Sequence, residues 1–489
     1  MNDKGISSYR KIVKGTALFG GVQVFNILIS LIRGKLIAII LGPEGMGISS
    51  LLTSSTNMLQ QFSSLGVNYS AVKDISLAKE NGDQERLSLV IHVLRRLLHV
   101  TSLIGSLLSI LFAQQLSLFA FGTIDYKWSF IGLSVMIYFT TLSNGELAIL
   151  QGSRMLKQLA YSSIIGASLG LIVSVPLYYY YGYDGIVPAM IVLSLITFLF
   201  NRSYANKIQF DNSKVDWNTV KTIGRAMVAL GVIMLVSSLF ATISNYSLNA
   251  FISNFGSLKD VGLYQAANSI TNQYVGVVFA AMGADFFPRL SGVSNDNIKV
   301  RTLVNQQSEI VMLIVTPLAI LMIMTAPLMI RLLLSEEFTP LISVIRFMGV
   351  GLFFKAMAYP MGYISFAKGD KKFFFWFEGV GGNIMTLVLN IIFYYKWGLI
   401  GIGISFSVSF FIFSILYILI TRCRYDFYYS SSFYKMLIPL FTLLCIAFVG
   451  SFIIDKRLSY SCMISASIVC LLLSLYGLNL RLQLIKLKQ

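Results

Sequence analysis

Apolar blocks of about 20–30 residues follow one another along most of the chain, separated by short polar segments. A helix needs about 20 residues to cross the roughly 30 Å hydrocarbon core of a bilayer. The blocks are continuous rather than alternating, which favours helices over the strands of a membrane barrel. Of the 489 residues, 56% are hydrophobic and only 12% are charged, which is too few charges for a soluble protein of this size. The sequence therefore predicts an all-α polytopic membrane protein.

We predict about fourteen transmembrane helices, near residues 15–41, 45–71, 89–112, 129–151, 160–181, 184–203, 222–251, 262–288, 302–333, 341–366, 373–395, 398–421, 435–454 and 459–478. An even number of crossings puts both termini on one side. The tails and loops of that side hold 25 Lys and Arg residues, whereas the opposite loops hold six. Short Lys- and Arg-rich loops stay in the cytoplasm, so we expect both termini there. The net charge of +17 is then mostly a topology signal, and nucleic acid is not an expected partner.

Seven cations remain inside the predicted spans, and these are Arg33, Lys35, Arg95, Arg96, Arg225, Arg346 and Lys355. A cation at the centre of a spanning helix costs about 2.5–3.5 kcal/mol on insertion scales, so a deep one suggests a functional site. We expect Arg95 and Arg96 to lie on an amphipathic stretch at the cytoplasmic surface. Arg225 and Arg346 are about one turn from a span end, where long side chains reach water. Lys355 lies about 14 residues into its span, which is too deep for this escape.

Polar residues form stripes on four predicted spans. In the first span, Gln23, Asn26, Ser30 and Arg33 recur every three or four residues and share one helical face. The second, seventh and eighth spans carry similar series, which are Ser50, Ser54, Asn57, Gln61, Ser64 and Asn68, then Ser238, Thr242, Asn245 and Asn249, then Gln265, Asn268 and Asn272. Such stripes either hold helices together or line an aqueous cavity. Their recurrence favours cavity lining. Lys35 lies on another face of the first span. The alternative to a cavity role is that its long side chain reaches the outer membrane surface.

The polar spans come in two pairs, and the segments that link each pair are similar. LGPEGMGISSLLTSSTN (41–57) aligns with FGSLKDVGLYQAANSITN (255–272), so that Gly47 meets Gly262. We infer two six-helix pseudo-repeat lobes in parallel orientation around a central cavity, followed by two C-terminal helices. The expected boundaries are 1–212 for the N-lobe, 213–432 for the C-lobe and 433–489 for the C-terminal pair. This is a transporter architecture, with the substrate site between the lobes.

The chain resembles the polysaccharide flippases of the multidrug/oligosaccharidyl-lipid/polysaccharide exporter superfamily, especially the O-antigen translocases. The resemblance covers about residues 10–430 and rests on GKLIAIILGPEGMG (34–47), AILQGSRMLK (148–157), VGLYQAANSI (261–270), FPRLS (287–291), LLLSEEF (332–338) and KAMAYPMGYISFAKGDKKFFFWFE (355–378). It implies alternating-access transport of an undecaprenyl pyrophosphate-linked oligosaccharide repeat unit from the cytoplasmic to the periplasmic leaflet. It also implies a bacterial inner membrane location, with a polysaccharide polymerase and a chain-length regulator as partners.

The resemblance implies a central cationic cavity, and Lys35 and Lys355 fall on lysine positions of the family. A diphosphate crossing an apolar barrier needs cations to compensate its charge. The candidates for this role are Arg33, Lys35, Lys355 and Arg225. The polar lining that would hydrogen-bond the sugar consists of Gln23, Asn26, Ser30, Asn57, Gln61, Asn245, Asn249, Gln265, Asn268 and Asn272.

Two other classes of function give different expectations. An enzyme is disfavoured because His92 and His99 have no carboxylate or cysteine neighbours and because the chain has no P-loop or CxxC motif. We therefore expect no metal, cofactor or catalytic residue, although a polymerase or ligase of the same lipid-linked sugars stays open. A cation-coupled multidrug efflux pump of the same fold is the main alternative, and it needs intramembrane carboxylates. Glu146, Asp285, Glu309 and Glu378 are available, and the deepest, Glu146, is the candidate for ion coupling.

Overall fold

The structure, a computed structural model, describes Val22, residues 25–208 and residues 216–482. The chain divides into two compact units, which we call unit 1 and unit 2, with the boundary between Gly262 and Leu263. The helices of unit 1 are α1 (residues 25–40), α2 (Gly42–Ser64), α3 (Val67–Glu80), α4 (Gln84–Leu111), α5 (Ala113–Phe121), α6 (Lys127–Gly152), α7 (Leu156–Tyr181), α8 (Ile186–Ala205) and α9 (Trp217–Phe255).

Helix α10 (Leu258–Gly292) contains the boundary between the units. The remaining helices are α11 (Asn297–Leu333), α12 (Leu341–Ala367), the single turn α13 (Lys371–Phe373), a π-helical segment (Phe374–Gly381), α14 (Gly382–Tyr425), α15 (Ser431–Gly450) and α16 (Lys456–Leu482). Short side chains cap several of these helices. The Asp83 carboxylate accepts from the Arg86 amide, Asp296 accepts from the amides of Ile298 and Lys299, and Ser430 accepts from Phe433.

Eight segments of the described residues are long and apolar enough to cross a membrane. Two of them are long enough for a pair of crossings each, because Lys157–Ala205 covers α7 and α8, and Phe374–Tyr425 turns sharply at Gly398, whose φ is 57°. The predicted all-α polytopic fold is therefore what the chain adopts. The exact number of fourteen crossings stays a prediction, and so do the lobe boundaries at 212 and 432.

One predicted span is interrupted. The sequence predicts a single helix over 45–71, but α2 ends at Ser64 and α3 begins at Val67, with Leu65 and Gly66 in the left-handed conformation between them. At this break the backbone of Gly66 lies directly against that of Gly231 on α9. A side chain at Gly66 would overlap the Gly231 carbonyl, so the break lets α9 approach closely.

The internal repeat has a direct structural counterpart within unit 1. Gly47 on α2 and Gly262 on α10 lie against each other, and a Cβ on either residue would overlap the carbonyl oxygen of Leu258 or Pro43. Small residues of this kind permit close helix packing in membranes. Two positions that the sequence repeat equates are thus in contact.

In unit 2, α12 is buried between α11 and α14, and α15 and α16 pack on α11. The C-terminal helix is also joined to α11 by an ion pair, in which the Arg481 Nε atom lies 2.6 Å from a carboxylate oxygen of Glu309. The two C-terminal helices therefore belong to the packed body of unit 2.

Candidate functional site

Unit 1 contains a polar cavity of about 580 Å³ between α2, α3, α6 and α9, which we call the amide cavity. Seven of its lining side chains are amides, and these are Asn57, Gln60, Gln61, Asn68, Asn144, Gln151 and Asn245. Its hydroxyl groups come from Ser54, Ser64, Tyr69 and Thr242. Among the residues that the structure describes, no Asp, Glu, Lys, Arg or His lines this cavity.

The amide cavity brings together three of the residues predicted as polar lining, namely Asn57, Gln61 and Asn245. Asn249, one turn further along α9, is not among the residues that line this cavity. Its side chain is completely buried within unit 1.

The stripe on α1 faces α7. The Asn26 Nδ2 atom donates to the Ser163 hydroxyl at 2.7 Å, and the Arg33 guanidinium lies beside Gly170. In both contacts the two residues are 137 positions apart in the sequence. Because this offset is the same, α1 and α7 run parallel here. This geometry fits the alternative in which Asn26 holds two helices together. Ser30 is exposed and Arg33 half-buried, while Gln23 lies outside the described residues.

Unit 2 contains a second cavity of about 500 Å³, which we call the lysine cavity. Its lining residues are Lys355, Ala358, Tyr359, Gly362, Tyr363, Phe366, Phe374, Glu378, Gly382, Asn383, Thr386, Phe410, Phe413 and Tyr417. These residues come from α12, the π-helical segment and α14, and half of them are Phe or Tyr.

Lys355 lies at the middle of α12, as predicted, and its surroundings are aromatic and amide groups. Its Nζ atom is 3.5 Å from the Asn272 side-chain oxygen, and it lies over the rings of Phe279 and Phe410 at 5.3 and 5.4 Å from their centres. Such cation–π contacts offset part of the cost of taking the ammonium out of water. No carboxylate of the described residues forms an ion pair with Lys355. Its charge is therefore available to an anionic ligand.

The polar stripe of α10 leads to this lysine. The Asn272 amide donates to the Asn268 side-chain oxygen at 2.8 Å, and Asn272 in turn contacts Lys355. Gln265 is half-buried one turn before Asn268. The structure thus joins two features that were predicted separately, the stripe of the eighth span and the mid-span lysine.

Glu378 also lines the lysine cavity, although its place at the start of a span suggested an interfacial charge. Its Oε1 atom accepts from the Ser365 hydroxyl at 2.9 Å, and the Tyr417 hydroxyl also hydrogen-bonds the carboxylate. The residue lies in the π-helical segment, a geometry often found at functional sites. In the described part of the chain Glu378 has hydroxyl partners and no ion pair.

Glu146 is the centre of a buried ion cluster with Arg95 and Arg202. Arg95 donates to both of its carboxylate oxygens, at 3.0 and 2.8 Å, and Arg202 Nη1 lies 2.5 Å from Oε1. Arg95 also donates to the Asn206 side chain at 2.9 Å. That Arg95 belongs to an amphipathic stretch at the cytoplasmic surface stays a prediction. Only 14% of its side chain is exposed, because it is drawn inward by Glu146.

The remaining predicted site cations lie away from both cavities. Arg225 is exposed on α9 and Lys35 is half-buried on α1, and neither lines the amide cavity or the lysine cavity. The described residues contain no group of three or more His, Cys, Asp or Glu side chains suited to a metal ion.

Sequence reasoning missed several cavity residues that carried a usable signal. Tyr359 and Tyr363 follow Lys355 at four-residue intervals, and Asn144 and Gln151 are seven apart on α6, so each set shares a helical face. Glu378 was named as an available carboxylate, but its place in the lysine cavity had no such signal, because the π-helical segment changes the side-chain directions locally.

Comparison with known proteins places this arrangement in a family. The model of the family described as polysaccharide biosynthesis protein matches residues 36–343. The Lipid III flippases of Escherichia coli (strain K12) and Shigella flexneri are each 23% identical over 350 residues, which is 70% of this chain and 82% of each relative.

Solved structures show the same fold. The lipid II flippase MurJ in an inward closed conformation has a TM-score of 0.75 at 16% identity, covering 96% of this chain and 100% of that one. An inward-facing multidrug resistance MATE family transporter of the MOP superfamily has a TM-score of 0.67 at 18% identity, covering 84% and 96%. These likenesses confirm the predicted superfamily fold, and the family model covers more than half of the sequence. The chain is therefore a multi-pass membrane protein that belongs to the polysaccharide biosynthesis protein family and has the MOP superfamily fold.

Proposed function

We propose that the chain is a flippase that moves an undecaprenyl pyrophosphate-linked oligosaccharide repeat unit from the cytoplasmic to the periplasmic leaflet. The polysaccharide is O-antigen or a related surface glycan, transport is by alternating access, and the site of action is the bacterial inner membrane. A polysaccharide polymerase and a chain-length regulator would take over the product. The family membership and the names of the Lipid III flippase relatives support this substrate class.

The observation that carries the proposal is the placement of Lys355. An ammonium at mid-span is costly, and here it faces a cavity without an ion-pair partner among the described residues. A diphosphate would supply the negative counter-charge for Lys355, and a charge-assisted hydrogen bond between the two is worth roughly 1.5–3 kcal/mol. The Phe and Tyr rings around it offer an apolar surface to the first units of a prenyl chain. No covalent chemistry is required, so the protein acts as a transporter rather than an enzyme.

The test is substitution of Lys355 in a strain that depends on this chain for surface glycan. We expect Lys355→Ala to abolish glycan display and to accumulate the lipid-linked intermediate in the inner membrane, while the protein still reaches the membrane. Lys355→Arg should keep part of the function, because it keeps the charge but changes the donor geometry. Lys396→Ala is the matched control, since Lys396 is exposed near the Gly398 turn of α14. Normal glycan display in Lys355→Ala would contradict the proposal.

A second candidate, efflux of cationic compounds, is favoured by Glu378. A carboxylate in an aromatic cavity, without an ion pair to any described residue, suits a cationic ligand or a coupling ion. The same deletion strain separates the two functions. Loss of surface glycan with unchanged resistance to cationic drugs supports the flippase, whereas increased drug sensitivity with normal glycan supports efflux and moves the important charge from Lys355 to Glu378.

A further inference from the structure

Three of the four hydroxyl groups of the amide cavity, all but that of Tyr69, donate within their own helices. Ser54 donates to the Leu51 carbonyl, Ser64 donates to the Gln61 carbonyl, and Thr242 donates to the Ser238 carbonyl, each at 3.1 Å. The hydroxyl hydrogens of these three side chains are therefore already donated to backbone carbonyls, and only their lone pairs remain for a ligand.

The amides of the same cavity are in the opposite situation. The Gln60 Nε2, Gln61 Oε1 and Asn68 Oδ1 atoms are buried and have no hydrogen-bond partner among the described residues. Buried polar groups in proteins almost always have a hydrogen-bond partner, because a buried donor or acceptor without a hydrogen bond is unfavourable. Three side chains at the wall of one cavity therefore have hydrogen-bonding capacity that no protein group of the described residues uses.

The chemistry of the lining identifies the class of molecule that would use this capacity. An amide offers both a donor and an acceptor, which matches a sugar hydroxyl that also donates and accepts. Among the described residues, the lining has no cation to compensate an anion and no carboxylate to compensate a cation. A cavity of about 580 Å³ lies within the usual range for a small-molecule site.

We propose that the amide cavity binds uncharged sugar residues of the transported glycan and discriminates against acidic ones. The inference rests on the proposed function, which supplies the lipid-linked oligosaccharide as the substrate, and adds the chemical class of the sugar. Charge recognition and sugar recognition are then assigned to different sets of residues, Lys355 for the diphosphate and the amides for the glycan. A uronic acid would have to bury its carboxylate among uncharged groups, which is unfavourable.

The experiment measures binding of three defined lipids to the purified full chain in nanodiscs. The probes are a prenyl pyrophosphate, the same lipid carrying a neutral N-acetylhexosamine, and the same lipid carrying a hexuronic acid. We expect the neutral sugar to raise affinity about tenfold over the sugarless lipid, the gain of one or two good hydrogen bonds, and the uronic acid to give no such gain. In the double variant Gln61→Leu/Asn68→Leu, the ratio of these affinities should fall towards one. Gln115→Leu, at an exposed position on α5, is the matched control and should keep the ratio.

The outcomes separate the two proposals. Equal affinity for the three lipids in the unaltered chain overturns the sugar-site inference and leaves the flippase proposal standing. A full neutral-sugar preference in the double variant also overturns the inference. If none of the pyrophosphate lipids binds, the flippase proposal itself is wrong.

Discussion

At the scale of single residues, Glu146 differs from Glu378 in its partners. Both lie in helical segments that cross the membrane, but Glu146 is held by Arg95 and Arg202, whereas Glu378 is held by hydroxyl groups. A proton or Na⁺ at Glu146 would have to displace two guanidinium groups. The ion-coupling role predicted for Glu146 is therefore less consistent with its surroundings than a role in holding α4, α6 and α8 together.

We expect Glu146→Gln to lower stability rather than to act on transport alone. The substitution leaves the buried Arg95 guanidinium without its counter-charge, and breaking a buried pair in this way costs about 3–5 kcal/mol, whereas Arg202 is partly exposed and adds less. Thermal unfolding of the purified protein and its abundance in the membrane measure the effect. Glu80→Gln is the control, because the Glu80–Arg154 pair is exposed and such pairs contribute about 0–1 kcal/mol. A Glu146→Gln protein with unchanged stability and no transport would restore the ion-coupling role.

At the scale of helices, the junction between α2 and α3 determines how closely α9 can approach. Gly66 has a φ of 66° and contacts the backbone of Gly231, while Gly82, between α3 and α4, has a φ of 69° and an open environment. The two glycines share their backbone conformation and differ in packing. They therefore allow backbone strain and close packing to be measured separately.

Replacing each glycine with alanine should give unequal losses of stability. Gly82→Ala costs only the left-handed conformation of a residue with a Cβ, about 1–2 kcal/mol. Gly66→Ala adds the overlap with the Gly231 carbonyl, and overpacking of this kind costs a further ~1–3 kcal/mol. The midpoints of thermal unfolding should thus fall more for Gly66→Ala than for Gly82→Ala. Equal shifts would mean that α9 moves aside without cost.

At the scale of the whole molecule, the sequence predicts helices better than it predicts contacts. The spans were predictable because each is a long continuous apolar block, and Lys355 was identified as a deep cation from its position in a block. The meeting of Glu146 with Arg95 and Arg202 was not predictable, since it joins residues 51 and 56 positions apart through tertiary packing. The break at Gly66 depends on one backbone conformation and one neighbour, which apolar patterning does not encode.

The orientation in the membrane is the last prediction, and it rests on the imbalance of 25 to six Lys and Arg residues between the two sides. Lys259 at the start of α10 and Asn81 between α3 and α4 are exposed positions predicted to lie on opposite sides. After Cys423, Cys445, Cys462 and Cys470 have been replaced, a membrane-impermeant maleimide should label Lys259→Cys in intact cells with a permeable outer membrane. It should label Asn81→Cys only after the inner membrane is opened. The reverse pattern would invert the topology, and the flippase would then have to pick up its substrate from the other leaflet.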